Sequence, residues 1–198
     1  MEDWLALSPW PGVILWVILY SSDYYLTLYS ARGLRETGHF EFEDSFELTP
    51  QYQKDINALK PVSALHIILL ILYSLLIIFI WWLTSRLPYF PWTYLFYLGM
   101  FLLMEVAIHF RHLRTVSLVR EIRKDPGGVE GHIFYRKRFS YTISAAELYI
   151  FSFLFLIIAL LAYSPFFLGG AIMCFGTGLK HARWAKKAKA ASLQTAEN

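Results

Sequence analysis

The sequence predicts an all-α polytopic membrane protein, a five-helix transmembrane bundle with a small cytoplasmic cap. Three observations predict it. Hydrophobic residues fill 57% of the 198 positions and charged residues 17%, where a soluble domain carries about 45–50% and about 25%. The apolar surplus gathers in runs of about 20 residues, the helical length that crosses a hydrocarbon core about 30 Å thick. Lys and Arg fall in alternate gaps between the runs. Together these exclude a disordered chain, a disulfide scaffold and an ordinary cytosolic enzyme. The whole chain, 1–198, reads as one membrane domain.

The first span is predicted at residues 11–31, apolar to Tyr20 and polar from Asp23. The acidic start, MEDWLALSPWPG, has no basic n-region, so it is not read as a cleavable signal peptide. Residues 32–61 form the first cytoplasmic segment. Within it HFEFEDSFEL, residues 39–48, alternates apolar and polar positions, which is strand periodicity. Thr49-Pro50 ends that pattern and can start the short helix that, through Asp55 to Leu59, is expected to lead into the second span, residues 62–83.

The third span, residues 91–112, continues as an amphipathic helix until Asp125-Pro126-Gly127-Gly128 stops it. From Pro91 to Lys124 that helix would measure about 50 Å, longer than the bilayer core is thick. The second cytoplasmic segment, 113–140, ends in the aromatic and basic GHIFYRKRFSY. Two arrangements stay open for it. Residues 131–140 pair with residues 39–48 in a β-ribbon that caps the bundle, or the two are separate loops with Arg136, Lys137 and Arg138 on anionic headgroups.

The fourth span is predicted at residues 141–163 and the fifth at 165–181. Gly169, Gly170, Gly176 and Gly178 make the fifth small-faced, as close helix packing requires. Cys174 reads as a small packing residue. The tail, 182–198, is basic, with Trp184 as an interfacial anchor, and nucleic-acid binding is not needed to explain it.

Cytoplasmic loops retain Lys and Arg. Five spans with the N-terminus outside place every Lys and Arg except Arg86 in the cytoplasm, and four spans could not. The expected location is a plasma or equivalent inner membrane, C-terminus cytoplasmic. Trp4, Trp10, Trp16, Trp81, Trp82 and Trp92 would form an aromatic belt near the outer edge.

Ionisable groups inside spans cost about 2.5–3.5 kcal/mol each at a helix centre, so they are the main functional pointers. Asp23, His66, Glu105, His109, His112 and Glu147 all map to the cytoplasmic-side layer. Glu105, His109 and His112 stand at i, i+4 and i+7, one stripe of a helix. Carboxylate oxygens and imidazole nitrogens suit a divalent metal ion, with Asp23, His66 and Glu147 completing the shell. The Glu-x-x-His pairs of di-iron bundles are absent. A structural polar network explains the same residues. The outer halves of the spans lack charge, which favours a cytoplasm-facing cavity over a through-pore.

Three readings of function follow. One is a membrane binding or interaction subunit, docking a protein partner at the cap or a second copy of itself. Another is a metal-dependent membrane enzyme using the Glu, His and Asp cluster. The last is a cation or small-solute transporter. No Walker motif, Gly-x-Ser-x-Gly, Cys-x-x-Cys or internal repeat is present.

Overall fold

The computed structural model describes residues 3–90 and 92–196. Pro91, expected to open the third span, and the final two residues of the tail lie outside the described residues. Six α-helices and two short strands follow one another: α1 (Trp10–Thr37), β1 (Phe40–Phe42), α2 (Pro50–Asn57), α3 (Ala64–Thr84), α4 (Trp92–Lys124), β2 (Ile133–Tyr135), α5 (Lys137–Ala162) and α6 (Pro165–Ala196). Among them α3, α4 and α5 are long and apolar enough to cross a membrane. The two flanking helices are as long, but α1 carries Ser21, Ser22, Asp23, Arg32 and Arg35, and α6 from its middle onward carries Lys180, Arg183, Lys186, Lys187 and Lys189.

Helix α1 packs on α3 and α4, α4 packs on α6, and α5 rests on α6 in the most extensive contact of the bundle. Helices α1, α4 and α6 run the same way, and glycines stand where they approach most closely. A Cβ on Gly12 would stand 2.7 Å from the Tyr94 hydroxyl, and one on Gly33 would stand 2.6 Å from a Val119 methyl. Between α4 and α6 the backbones themselves touch. A Cβ on Gly99 would lie 1.9 Å from the Phe166 carbonyl oxygen, and one on Gly169 1.9 Å from that of Phe96. The small face predicted for the last helix is therefore the α4 contact at Gly169 and Gly170 and the α5 contact at Gly178, whereas Gly176 faces open space. Cys174 is fully buried, with Sγ 4.0 Å from Met104 Sδ.

Trp4, Trp10, Trp82 and Trp92 are exposed at one end of the bundle. Trp16 is a correction to the expected belt. It is 3% exposed, stacks on Tyr20 at 4.7 Å and belongs to the α1–α3–α4 core.

At the other end the ribbon forms, much shorter than the period-two pattern. Phe40, Glu41 and Phe42 pair with Ile133, Phe134 and Tyr135 in parallel. The direction follows from α1 and α4 running the same way, so the chain leaves both helices in the same sense. Phe42 and Tyr135 stack at 5.1 Å. Beyond Phe42 the pattern is overridden by local bonds. Glu43 Oε2 accepts the Lys137 backbone N–H at 2.7 Å, Asp44 is ion-paired with Lys137, and Ser45 Oγ accepts the Glu47 N–H at 3.1 Å. Side-chain bonds of this kind compete with a strand ladder.

The register makes a prediction. Cysteines at Glu41 and Phe134 are expected to cross-link on mild oxidation, and cysteines at Phe42 and Phe134 are not, because neighbouring strand positions point to opposite faces. Gel mobility under non-reducing conditions reads the result, and buried Cys174 does not compete. Equal cross-linking of both pairs would disprove the register.

The short helix expected through Asp55 to Leu59 is α2, which ends at Asn57 and is opened by Pro50 in its first turn, where its missing N–H costs nothing. Leu59 adopts a left-handed φ of 48° and turns the chain toward α3. Asp55 clamps this turn, accepting from Lys60 Nζ at 2.7 Å and Ser63 Oγ at 2.6 Å. Those two bonds hold its carboxyl below the usual carboxylate range.

Candidate functional site

Five of the six ionisable residues singled out from sequence lie along the seam of α1, α3 and α4. The stripe Glu105, His109 and His112 faces α1, where Ser22, Asp23 and Thr27 occupy the matching turn. His112 is 2% exposed. Its Nε2 lies 3.1 Å from Thr27 Oγ1 and 2.9 Å from Asp23 Oδ1. The N–H is not aimed at Asp23, so Oδ1 has no aligned donor although the two groups are in ion-pair contact. His112 Nδ1 has no hydrogen-bond partner.

His109 is committed elsewhere. Its Nε2 meets Ser22 Oγ at 2.7 Å, and its Nδ1 stands 2.7 Å from the Glu105 carbonyl oxygen one turn back, an acceptor that fixes Nδ1 as the protonated nitrogen. Ser22 Oγ also stands 2.8 Å from the Ile18 carbonyl oxygen and 3.0 Å from that of Leu19, so its one proton serves several acceptors. His66, 8% exposed on α3, lies between rings, 4.5 Å from Tyr20 and 4.6 Å from Tyr24. Glu105 is 7% exposed and its Oε2 has no hydrogen-bond partner. Its electrostatic neighbours are Asp23 and Arg111. Among the described residues, no three His, Cys, Asp or Glu side chains are arranged to hold a metal ion. The geometry shows why. His109 is saturated by Ser22 and its own helix, and His66 is sandwiched by tyrosines.

Glu147 stands apart from the other five. It is on α5, ion-paired with Arg114 of α4. Both residues line a cleft of about 450 Å³ between α4 and α5 at the ribbon end. The cleft exists because α5 leans on α6 and makes little backbone contact with α4. Phe40, Phe42 and Tyr135 of the ribbon, with Phe46, roof it, and Leu118 and Ile143 give it apolar walls. Arg111, His112, Thr115, Ser140 and Ser144 supply the polar atoms. Arg111 Nη1 donates to Ser144 Oγ at 3.0 Å, and the same oxygen lies 2.9 Å from His181 Nδ1. His112 therefore belongs to both places, joined to Asp23 on the α1 side and lining the cleft.

Sequence reasoning missed Arg111, Ser144 and His181 as members of a site. His181 had one signal. It continues the buried row Ala171, Cys174, Gly178, His181, Ala185, spaced by three and four along α6. No family model, no curated protein and no solved structure matches this chain.

Proposed function

We propose that the chain is a five-span integral membrane binding protein, N-terminus outside and C-terminus cytoplasmic, which receives its ligand in the cleft at the cytoplasmic end. The cleft carries this reading. A concave apolar body of a few hundred Å³ with a few convergent polar groups is the make-up of a small-ligand site. The membrane setting is supported by outward faces such as Ile68, Leu75, Ile150, Phe153 and Leu160, all more than half exposed. In water such a surface would drive association. With α1 and α6 counted as spans, every Lys and Arg but Arg86 falls at the ribbon end, as cytoplasmic placement requires.

Occupancy should steady the roof. Amide hydrogen exchange of Phe40–Phe42 and Ile133–Tyr135 is expected to be slower in nanodiscs of cell-membrane lipid extract than in delipidated detergent solution. Ile143→Trp, which fills the cleft, is expected to abolish the difference. Identical exchange in both media for the parent protein would sink the reading.

A second reading, a cation- or proton-handling layer, rests on the unpartnered Glu105 Oε2 beside Asp23. A metal-dependent enzyme would draw on the same residues, and bound metal after gentle purification, lost in Glu105→Ala, is its test.

A further inference from the structure

We propose that the cleft takes an acidic lipid, an amphiphile whose anionic head sits on Arg111 and whose chain lies against the aromatic roof. This inference rests on the binding reading above and names the class of ligand. The charges facing the cleft decide it. Two are carboxylates. Glu147 is in ion-pair contact with Arg114, although neither of its carboxylate oxygens has an aligned donor. Glu47 Oε1 accepts the Thr49 backbone N–H at 2.6 Å, which ties it into the turn that opens α2. Arg111 has neither kind of engagement. Its hydrogen bond goes to the neutral Ser144 hydroxyl, and among the described residues no carboxylate oxygen lies within ion-pair distance of it. His112 adds an imidazole whose Nδ1 is unpaired. The cleft thus presents, beside the hydroxyls of Ser140, Ser144 and Thr115, a guanidinium that makes no ion pair among the described residues and whose electrostatic neighbour is the buried Glu105.

A guanidinium is suited to a phosphate or carboxylate, because its planar fork donates two parallel N–H bonds. Arg111 is also held in position. Ser144 Oγ takes Nη1 from one side and is anchored to His181 from the other, so Arg111 lines the cleft as a tethered side chain with less freedom to lose on binding. The apolar part has its own complement. Phe40, Phe42 and Phe46 form one continuous aromatic wall with Tyr135, opposite Leu118 and Ile143. A free phosphate would leave that wall unused. Basic pockets between membrane helices at the cytoplasmic side recognise acidic headgroups in this way. Arg114 and Leu118 are both exposed, so the cleft communicates with the surface between α4 and α5, where a lipid of the same leaflet arrives.

The test uses the full chain in phosphatidylcholine nanodiscs with spin-labelled lipids of equal chain length. The parent is expected to immobilise labelled phosphatidylglycerol about tenfold more strongly than labelled phosphatidylcholine, as loss of a charge-assisted contact implies. Arg111→Gln is expected to remove the preference, Arg111→Lys to keep part of it, and Arg138→Gln, an exposed position outside the cleft, to change nothing. Inorganic phosphate at millimolar concentration is expected not to displace the label. Displacement as complete as by unlabelled phosphatidylglycerol would assign the site to a free anion and overturn the lipid proposal. Equal immobilisation of both lipids, abolished by Ile143→Trp, would overturn the anionic head while leaving the binding cleft. No immobilisation in the parent would overturn both. The two-lipid comparison in the parent decides the matter even where a variant fails to fold.

Discussion

Alanine at Gly99 or at Gly169 is expected to destabilise the bundle by about 3 kcal/mol or more, the upper end of what overpacking costs. The usual escape from an added methyl is a rotamer change in the neighbour. Neither site offers it. The atom met first is a main-chain carbonyl oxygen, Phe166 O for Gly99 and Phe96 O for Gly169, each 1.9 Å from the new Cβ. Only separation of α4 from α6 relieves the clash, and that separation also loosens Leu103 over Gly170 and Cys174 beside Met104. Since both substitutions demand the same movement, the second should cost far less than the first, so the double variant is expected to be strongly non-additive. Gly176→Ala is the control. Nothing lies within 4 Å of its Cβ, and alanine gains about 0.8–1.0 kcal/mol of helix propensity over glycine. Thermal unfolding in one detergent orders the variants. A neutral Gly99→Ala would show that the helices are not in backbone contact.

The sequence carried the helices well and their partners poorly, for reasons visible in particular residues. Helix α4 ends at Lys124, as Asp-Pro-Gly-Gly required, because a proline and two glycines act locally. The Glu105, His109 and His112 stripe was legible for the same reason, a period on one helix. Which partner each imidazole takes was not. His112 meets Asp23 and His109 meets Ser22 only in the α1–α4 register that Gly12 and Gly33 permit. The strand pattern of residues 39–48 promised ten residues and delivered three, since Glu43 and Asp44 turn to Lys137. The cleft had no local signature at all. It is the space left where α5 follows α6 away from α4, and Arg111 gains its meaning only from having no carboxylate oxygen within ion-pair distance among the described residues. Trp16 misled because an indole serves as readily in a core as in an interfacial belt.

Glu105→Leu is expected to leave the bundle as stable as the parent or more so, while His112→Ala costs about 3–5 kcal/mol. The contrast follows from what each side chain satisfies. His112 spans α1 and α4, holding Thr27 and lying against Asp23, and is almost wholly enclosed. Its removal leaves a void and a partly buried carboxylate without a counter-group, the costly way to break a buried pair. Asp23 is 24% exposed, so water recovers part of that loss and the lower end of the range applies. Glu105 satisfies nothing comparable. Its Oε2 is buried without a donor, and of its two electrostatic neighbours the like-charged Asp23 outweighs Arg111. An unpaired buried polar group costs about 1–3 kcal/mol, which an apolar side chain of similar volume removes. A chain that keeps so unfavourable a group in an apolar helix gains something other than stability from it. Unfolding of the two variants side by side, with lipid retention and cation uptake measured on each, separates the cases. Loss of stability in Glu105→Leu equal to that in His112→Ala would make Glu105 a structural residue. Retained stability with loss of either activity would tie the buried carboxyl to the work of the site, through His112, the one side chain common to the polar seam and the cleft.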